Sequence, residues 1–462
     1  MLPLYFLVQI LALLCGWPFL LLLRLRRPEK FKRLRGRLYG RLGERFGSVR
    51  DVALTDFVPP PVRPRIWLHA LSVGEVSSAL PLARAIREHF PNAFLVVTVT
   101  TESGETFAKE ALARTADLIL AAPIDWLPSV WHFLDHLKPN LFIQVETDFW
   151  PGLLFSLRRR QIPALLVNGR ISAASFNRYH RFRALFRPMF ACFSTLAMQT
   201  EADRDKMIAL GLPPGRLPVL GNLKYAAAPA PKRAPISNQA IAALVPPGRR
   251  LWVCGSTHPG EEEIIFAAYG QLRARIPDVF LLLAPRRPER GGELVKLASR
   301  YNLTANLRSR KFSRQGSGQF SDLSSHQDYP KDAVNSLVTD LLILDSIGEL
   351  AACYFLADVA FIGGSLVHEG GHNPLEAAWA GKPVLIGPHM EDFSEIAAAL
   401  IAAGAARAVS DTTELTAALV EIFTDATVSQ KMGATALALV EARRQGVLAG
   451  HLAAIAELLT VK

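Results

Sequence analysis

Cysteine is scarce. Only Cys15, Cys192, Cys254 and Cys353 occur in 462 residues, and no two form a C-x-x-C pair. That scatter excludes a disulfide framework or a cysteine zinc site and fits a reducing compartment. The letters H-E-x-x-H occur once, at His368–His372, but paired glycines just ahead of Pro374 do not suit the helix that would put both histidines on one face, and His and Cys do not cluster, so no metal is implied. A Walker A loop is missing, and no G-x-G-x-x-G opens a βαβ unit, which leaves ATPase and NAD readings without support. Positive charge is thin outside one stretch. The net charge is +11, yet 24–50 alone holds eleven Lys/Arg against Glu29 and Glu44, so the remainder is close to neutral. A nucleic-acid-binding surface spread over the fold is therefore disfavoured.

What is present begins with Leu2–Leu23, almost wholly apolar apart from Tyr5, Gln9, Gly16 and Pro18. About 20 such residues match a bilayer's hydrocarbon core. Basic charge follows this run and does not precede it, which argues against a cleaved signal and leaves the bulk of the chain cytoplasmic. The reading is a membrane anchor over 1–23 and a basic juxtamembrane helix over 24–50. Leu34, Leu38, Leu42 and Phe46 line one face of that helix, and its cations suit anionic inner-membrane lipids. Full spanning and partial embedding both remain open, because Pro18 can bend the run.

From Arg65 onward short apolar strands alternate with helical stretches. Arg65–His69, Ala93–Thr98, Leu118–Ala121, Leu141–Val145, Ala164–Asn168 and Leu196–Gln199 read as strands. Ala226–Pro235 interrupts them as a Pro/Ala linker. The alternation then restarts with Leu251–Gly255, Val279–Ala284, Leu341–Leu344, Asp358–Ile362 and Val384–Gly387. This is an α/β chain with two open parallel sheets: an N-terminal Rossmann-like domain over 51–225, a linker over 226–236 and a second Rossmann-like domain over 237–462. Arg308–Asp332, polar and without periodicity, reads as a mobile insertion loop. The last forty residues read as helical. Ligands of such sheets sit beyond the carboxyl ends of the strands.

The segment 363–388 is the most informative. A buried strand ends in paired glycines, and Gly370-Gly371-His372-Asn373-Pro374-Leu375-Glu376 follows. Asn373 reads as an N-cap, Pro374 as the first helical residue and Glu376 as part of the first turn. The glycines permit close backbone approach, the helix start offers N–H groups to a phosphate, and Glu376 can accept from ribose hydroxyls. Ser256-Thr257-His258 and Pro285-Arg286-Arg287 end two other strands of this half, and Ile347-Gly348-Glu349 forms a third loop of the kind.

In the first half, Ser72-Val73-Gly74-Glu75 follows a strand and opens a helix. The helix dipole is expected to keep Glu75 ionised near neutral pH, the charge state of a general base, although taken alone a glutamate there equally stabilises a helix start. Glu146 and Asp148, next to Trp150, suit sugar hydroxyls and ring; capping of the helix after Pro151 is the alternative. Arg170 and Arg178 put cations where an anionic acceptor could sit, or are solvated surface arginines. Lys224 stands just before the linker.

Together these motifs resemble the bacterial Kdo transferases, glycosyltransferases of GT-B architecture that act on lipid A. The resemblance rests on HALSVGEV (His69–Val76), ETDFWP (Glu146–Pro151), NGRISAASFNRY (Asn168–Tyr179), GNLKY (Gly221–Tyr225), GSTHPGEE (Gly255–Glu262), PRRPER (Pro285–Arg290), DSIGEL (Asp345–Leu350) and the run Gly363–Phe393. It implies two Rossmann-like domains facing a central cleft, behind an N-terminal membrane-anchor helix. The implied reaction moves Kdo, an eight-carbon acidic sugar (3-deoxy-D-manno-octulosonic acid), from CMP-Kdo to a lipid A precursor (lipid IVA), with inversion and without metal or other cofactor. By resemblance Glu75 is the base. Ser256, Thr257, His258, Arg286, Arg287, Gly348, Glu349, Gly370, Gly371, Asn373 and Glu376 fall on the donor side. Ser72, Gly74, Glu146, Asp148, Arg170, Arg178 and Lys224 fall on the acceptor side. The chain departs from the family pattern at Asp148 (usually Glu), Gly152 (commonly Asn), Gly169 (commonly Ala) and Arg287 (commonly His). A transferase for another donor such as a UDP-sugar, and a nucleotide- or lipid-binding module without chemistry, are the competing readings. The sequence leaves oligomeric state and the number of Kdo units open.

Overall fold

The computed structural model describes residues 24–39, 64–146, 148–227, 245–309 and 339–460, with Tyr5, Gln9, Gly16 and Pro61 ahead of them. Apart from those few positions, the expected anchor Leu2–Leu23 lies outside the described residues. So do the end of the basic collar, the linker beyond Ala227 and the insertion loop beyond Ser309. Among the described residues no helix is long and apolar enough to cross a membrane.

The chain divides into two compact units: Met1–Ala227 with Arg443–Lys462, and Ala228–Ala442. This shifts the expected boundary, which gave everything after 237 to the second domain. The cause is the last helix, Ala426–Thr460. Its Val447 and Ile455 are buried in the core formed by Ile66, Leu68, Ile143 and Leu223, with Leu452 and Leu458 packed beside them. A long alanine- and leucine-rich helix read from sequence carries no mark of where it changes partners.

The first unit's sheet holds β1 (Arg65–Ala70), β2 (Phe94–Val99), β3 (Leu118–Ala121), β4 (Leu141–Val145), β5 (Ala164–Gly169) and β6 (Thr195–Met198), in the order β3-β2-β1-β4-β5-β6. Every pairing is parallel. Strands buried on both faces explain the continuous runs such as RIWLHA and FLVVTV. The strand order reverses between β1 and β4, and loops leaving adjacent strands in opposite directions open a crevice at that point.

The second unit has β7 (Arg250–Thr257), β8 (Val279–Pro285), β9 (Ala305–Leu307), β10 (Leu341–Ile343), β11 (Val359–Ile362), β12 (Val384–Ile386) and β13 (Ala406–Ala408), ordered β13-β12-β11-β7-β8-β10-β9 and parallel throughout. Here the order reverses between β7 and β11. The short edge strands β9 and β13, each of three residues, escape a sequence reading because so few positions show no alternation.

Candidate active site

In the first unit the loops that follow β1 and β4 bring three carboxylates to the switch point. Glu75 lies in the first turn of the helix Val73–His89, and its Oε2 accepts the Leu71 N–H at 2.6 Å. Only 6% of the residue is exposed. The dipole was expected to keep this carboxyl ionised, and the structure overturns that. Burial pushes its pKa up to about 8; the Leu71 N–H opposes this, while the charges of Glu146 and Asp148 add to it. Desolvation of a buried carboxylate outweighs a dipole that is effective only over the first turn.

Asp148 has the opposite environment. Burial raises its pKa, but a 3.2 Å hydrogen bond from His69 Nε2, that ring's charge, and donors from Trp150 and Thr100 outweigh burial and hold it below the ordinary value. His69 is itself fixed by Thr98, whose hydroxyl also receives the Trp67 indole N–H. Glu146 adopts a left-handed backbone (φ 58°), as does Asn168 (φ 57°), and the Asn168 amide donates to Glu146 Oε1 at 3.0 Å. Asn168 Oδ1 accepts the Leu223 N–H at 2.9 Å, so the turn carrying Lys224 is tied to the same cluster. Non-glycine residues at positive φ cost about 1–3 kcal/mol each and concentrate at functional sites.

Ser72 occupies the N-cap without its hydroxyl capping the helix, and Gly74 is exposed beside it. Arg170 and Arg178 lie on β5's outgoing loop and the helix Ala173–Arg181, both exposed, and hydrogen-bond to none of the three carboxylates. Asp203-Arg204-Asp205, a D-x-D triplet, is no metal site here: Asp203 accepts from Thr200, the Ile171 N–H and Lys206.

In the second unit the loops after β7 and β11 meet at the other switch point. Ser256 has φ 58° where β7 bulges against β8, and Thr257 is fully buried. Glu261 stitches the two loops together. Its Oε1 accepts the N–H groups of His258 and Gly364, each at 2.7 Å, and its Oε2 that of Leu366 at 3.4 Å. Burial raises its carboxyl to about 7 against those donors. A Cβ at Gly363 would press into the Ser256 carbonyl, so glycine is required there. His258 and His372 face each other with Nε2 atoms 2.8 Å apart. Burial, the His258 charge and Arg286 bring His372 down to about 4. Burial also lowers His258; Glu369 opposes this, and the charges of Arg286, Arg290 and Arg287 add to it. Both rings are thus neutral near pH 7 and share one N–H.

Gly370 (φ 83°) and Gly371 (φ 73°) both take left-handed backbone conformations that favour glycine. The helix after them is short and starts one residue later than expected, with Pro374 at its N-cap. It runs only over Leu375–Trp379, with the Asn373 side chain accepting from the Leu375 N–H at 3.1 Å. Five residues build a small dipole, so backbone N–H groups and arginines matter more here than a macrodipole. Burial raises the Glu376 carboxyl. Arg286 and Arg287 leave β8 exposed, with the loop held by Arg290 pairing with Glu262 at 2.8 Å. Gly348 has φ 89°, and Glu349 is engaged by Arg308 at 2.9 Å.

Sequence reasoning did not single out His69, Thr100, Asn168, Glu261 or His372 as site residues. Each lies inside or beside a motif already noted, but its role depends on a partner 20 to more than 100 residues away. Two departures from the family pattern gain a reason. A Cβ at Gly169 would sit 2.9 Å from Leu166 Cδ2 and 3.0 Å from the Ala197 carbonyl, and one at Gly152 only 2.7 Å from Asp125 Oδ1. Nothing in the structure explains aspartate rather than glutamate at 148.

A family model described as 3-deoxy-D-manno-octulosonic-acid transferase (kdotransferase) matches residues 40–227. A 3-deoxy-D-manno-octulosonic acid transferase of Haemophilus influenzae is 34% identical over 357 residues, 77% of this chain and 77% of that protein. Among solved structures, a glycosyltransferase from Rickettsia africae superposes with TM-score 0.57 at 11% identity, covering 87% of this chain and 100% of that one. UDP-GlcNAc 2-epimerase from Neisseria meningitidis gives 0.55 at 13% identity over 82% and 99%. These two likenesses show the fold alone, shared by a transferase and an epimerase. The sequence likeness goes further: the chain belongs to the bacterial 3-deoxy-D-manno-octulosonic acid (Kdo) transferase family.

Proposed function

We propose that the protein transfers Kdo from CMP-Kdo to a hydroxyl of a lipid A precursor (lipid IVA) in lipopolysaccharide synthesis, with Glu75 as general base. The observation that carries this is the separation of two neighbouring carboxylates, Glu75 raised to about 8 and Asp148 held low. Environments that push two acids apart assign them different tasks. Glu75 takes the proton of the attacking hydroxyl, and its raised pKa makes it a stronger base than an exposed glutamate. Asp148 and Glu146 stay as acceptors for sugar hydroxyls. As the acceptor oxygen bonds to the anomeric carbon of Kdo, the bond to the CMP phosphate breaks on the opposite face, which inverts the centre.

On the donor side, Ser256, Thr257, His258, Arg286, Arg287 and the Gly370–Gly371 backbone would meet the phosphate and the acidic sugar. Gly348, Glu349, Asn373 and Glu376 would hold the nucleoside. CMP leaves as a monophosphate, so the reading needs no diphosphate-binding metal and no cofactor beyond the donor. Ser72, Gly74, Arg170, Arg178 and Lys224 would shape the seat of a phosphorylated acceptor. The same reading puts the chain at the cytoplasmic face of the bacterial inner membrane, held by its apolar N-terminal run and by basic residues on anionic lipids.

The test is release of CMP from CMP-Kdo by detergent-solubilised protein, with and without a tetra-acylated lipid A precursor, followed by mass spectrometry of the lipid. A gain of one or more Kdo units, dependent on Glu75, is expected. Tighter thermal protection by UDP-GlcNAc than by CMP would overturn the donor assignment.

A further inference from the structure

Asp125 takes no part in the reaction above, yet it is 7% exposed and carries three hydrogen bonds from distant segments. It lies between β3 and the helix Leu127–Leu137. Its Oδ2 accepts the Gly152 N–H at 2.9 Å and its Oδ1 the Leu153 N–H at 2.8 Å. Those are the unpaired amides in the first turn of the helix Pro151–Arg159, which starts directly after the Glu146–Trp150 turn. The third donor is the Tyr5 hydroxyl, 2.5 Å from Oδ2. Gln9 adds two more ties, donating from Nε2 to the Asp125 carbonyl and accepting the Leu127 N–H at 3.3 Å. Gly152 makes room for this contact: a Cβ there would stand 2.7 Å from Asp125 Oδ1 and 3.1 Å from the Tyr5 ring. Tyr5 and Gln9 are two of the few polar interruptions in the apolar run, and both are used on the same residue.

We propose that Asp125 is a positioning residue that fastens the N-terminal apolar segment, at Tyr5 and Gln9, to the amino end of the helix following the Glu146–Trp150 turn. The inference rests on the transfer reading for its consequence: the segment that meets the membrane also sets where Glu146 and Asp148 stand. It bears on topology as well. Beyond the run, Arg33 donates to the Thr100 carbonyl at 3.2 Å and Arg37 to the Ala122 carbonyl at 2.8 Å. Residues near the start of the run and residues beyond its end are thus bonded to one unit. Crossing about 30 Å of hydrocarbon would carry Tyr5 to the far side, away from Asp125. The lock therefore keeps Tyr5 and Gln9 on the catalytic side of the bilayer.

Full-length protein, wild type and the variants Y5F/Q9L and G152A, is compared in detergent and in phosphatidylethanolamine/phosphatidylglycerol vesicles. G152A dislodges Tyr5 from the other side of the contact. Hydrogen exchange at the amides of positions 152 and 153 is expected to quicken about tenfold in both variants, the effect of losing a charge-assisted bond. Turnover number should drop several-fold while KM for CMP-Kdo and the CMP-induced thermal shift stay at wild-type values. Wild-type exchange in both variants overturns the lock. The exchange measurement needs no turnover, so a wild-type protein that transfers no Kdo refutes the functional reading and leaves this one standing. In vesicles with the catalytic units outside, an impermeant maleimide added outside should label a Leu2→Cys, Cys15→Ser protein. Labelling only after the vesicles are opened overturns that placement.

Discussion

Replacing Glu75 by glutamine should move activity and stability in opposite directions. The folded carboxyl titrates at about 8 against an ordinary 4.5, because burial removes it from water and Glu146 and Asp148 surround it with like charge. About one molecule in eleven then holds the ionised base at pH 7 and half do at pH 8, so kcat/KM should rise about fivefold across that interval. The stability effect follows from linkage. A folded pKa above the unfolded one gives stability that is complete below about 4.5 and is lost as pH rises through 8. The ceiling is about 5 kcal/mol, reduced in practice by relaxation and water entry. Glutamine has no charge to desolvate. E75Q should therefore match wild type at pH 4.5, unfold several degrees higher at pH 9, and release no CMP from CMP-Kdo with acceptor present. Calorimetric melting at the two pH values and a coupled CMP assay over pH 5–9 read both arms. Undiminished turnover in E75Q, or a wild-type profile rising near pH 4.5, would refute the reasoning. As an internal control, E146Q removes one of the raising charges, and the ascending limb should move to lower pH.

Three further outcomes are expected. Glu261→Ala leaves the His258, Gly364 and Leu366 amides without their acceptor, at a cost of about 2–4 kcal/mol in urea unfolding, and abolishes the CMP-induced thermal shift. Gly371→Ala forces a side chain into φ 73° and against Met390, so calorimetric affinity for CMP should fall at least about tenfold. Its control, Gly292→Ala, has open space at the Cβ within a helix and should leave CMP affinity unchanged. His451 is fully buried on the last helix with its pKa lowered by burial to about 4. A depressed histidine keeps its stability above about 6.5 and loses it as pH falls through 4, up to about 3 kcal/mol in all. His451→Leu should flatten that acid slope in urea midpoints measured between pH 7 and pH 4.

The strands of both sheets were legible wherever burial on both faces forced long apolar runs, as in β1, β2 and β8. The loops after them were legible because glycine, proline and charge cluster there. Local signals run out where a role depends on contact across the sheet. Asn168 reads as the last residue of a strand, and only the fold shows it bridging Glu146 and Leu223. Glu261 reads as one of three glutamates at a helix start, each favourable to the dipole. That it alone turns inward to three amides follows from β7 and β11 being neighbours, which spacing in sequence does not reveal. Glu75 is the instructive case. Its place in the first turn of a helix after β1 was legible and its charge state was not, because the dipole is a sequence-local effect whereas desolvation is set by how much chain packs around it.

The two switch points solve opposite electrostatic problems with the same topology. In the first unit a carboxylate cluster keeps one member firmly ionised through His69 and Thr100, and that fixed charge helps hold a proton on its neighbour. In the second, burial and arginines keep two histidines neutral near pH 7. Backbone strain falls at the same places: Glu146, Asn168 and Ser256 all take positive φ at strand ends beside these clusters. A fold shared with a UDP-GlcNAc epimerase does not account for these two environments, since the sheets alone are neutral on chemistry. A carboxyl raised to about 8 on one unit and neutral histidines beside arginines on the other are environments that fit the proposed transfer from an acidic nucleotide sugar to a hydroxyl.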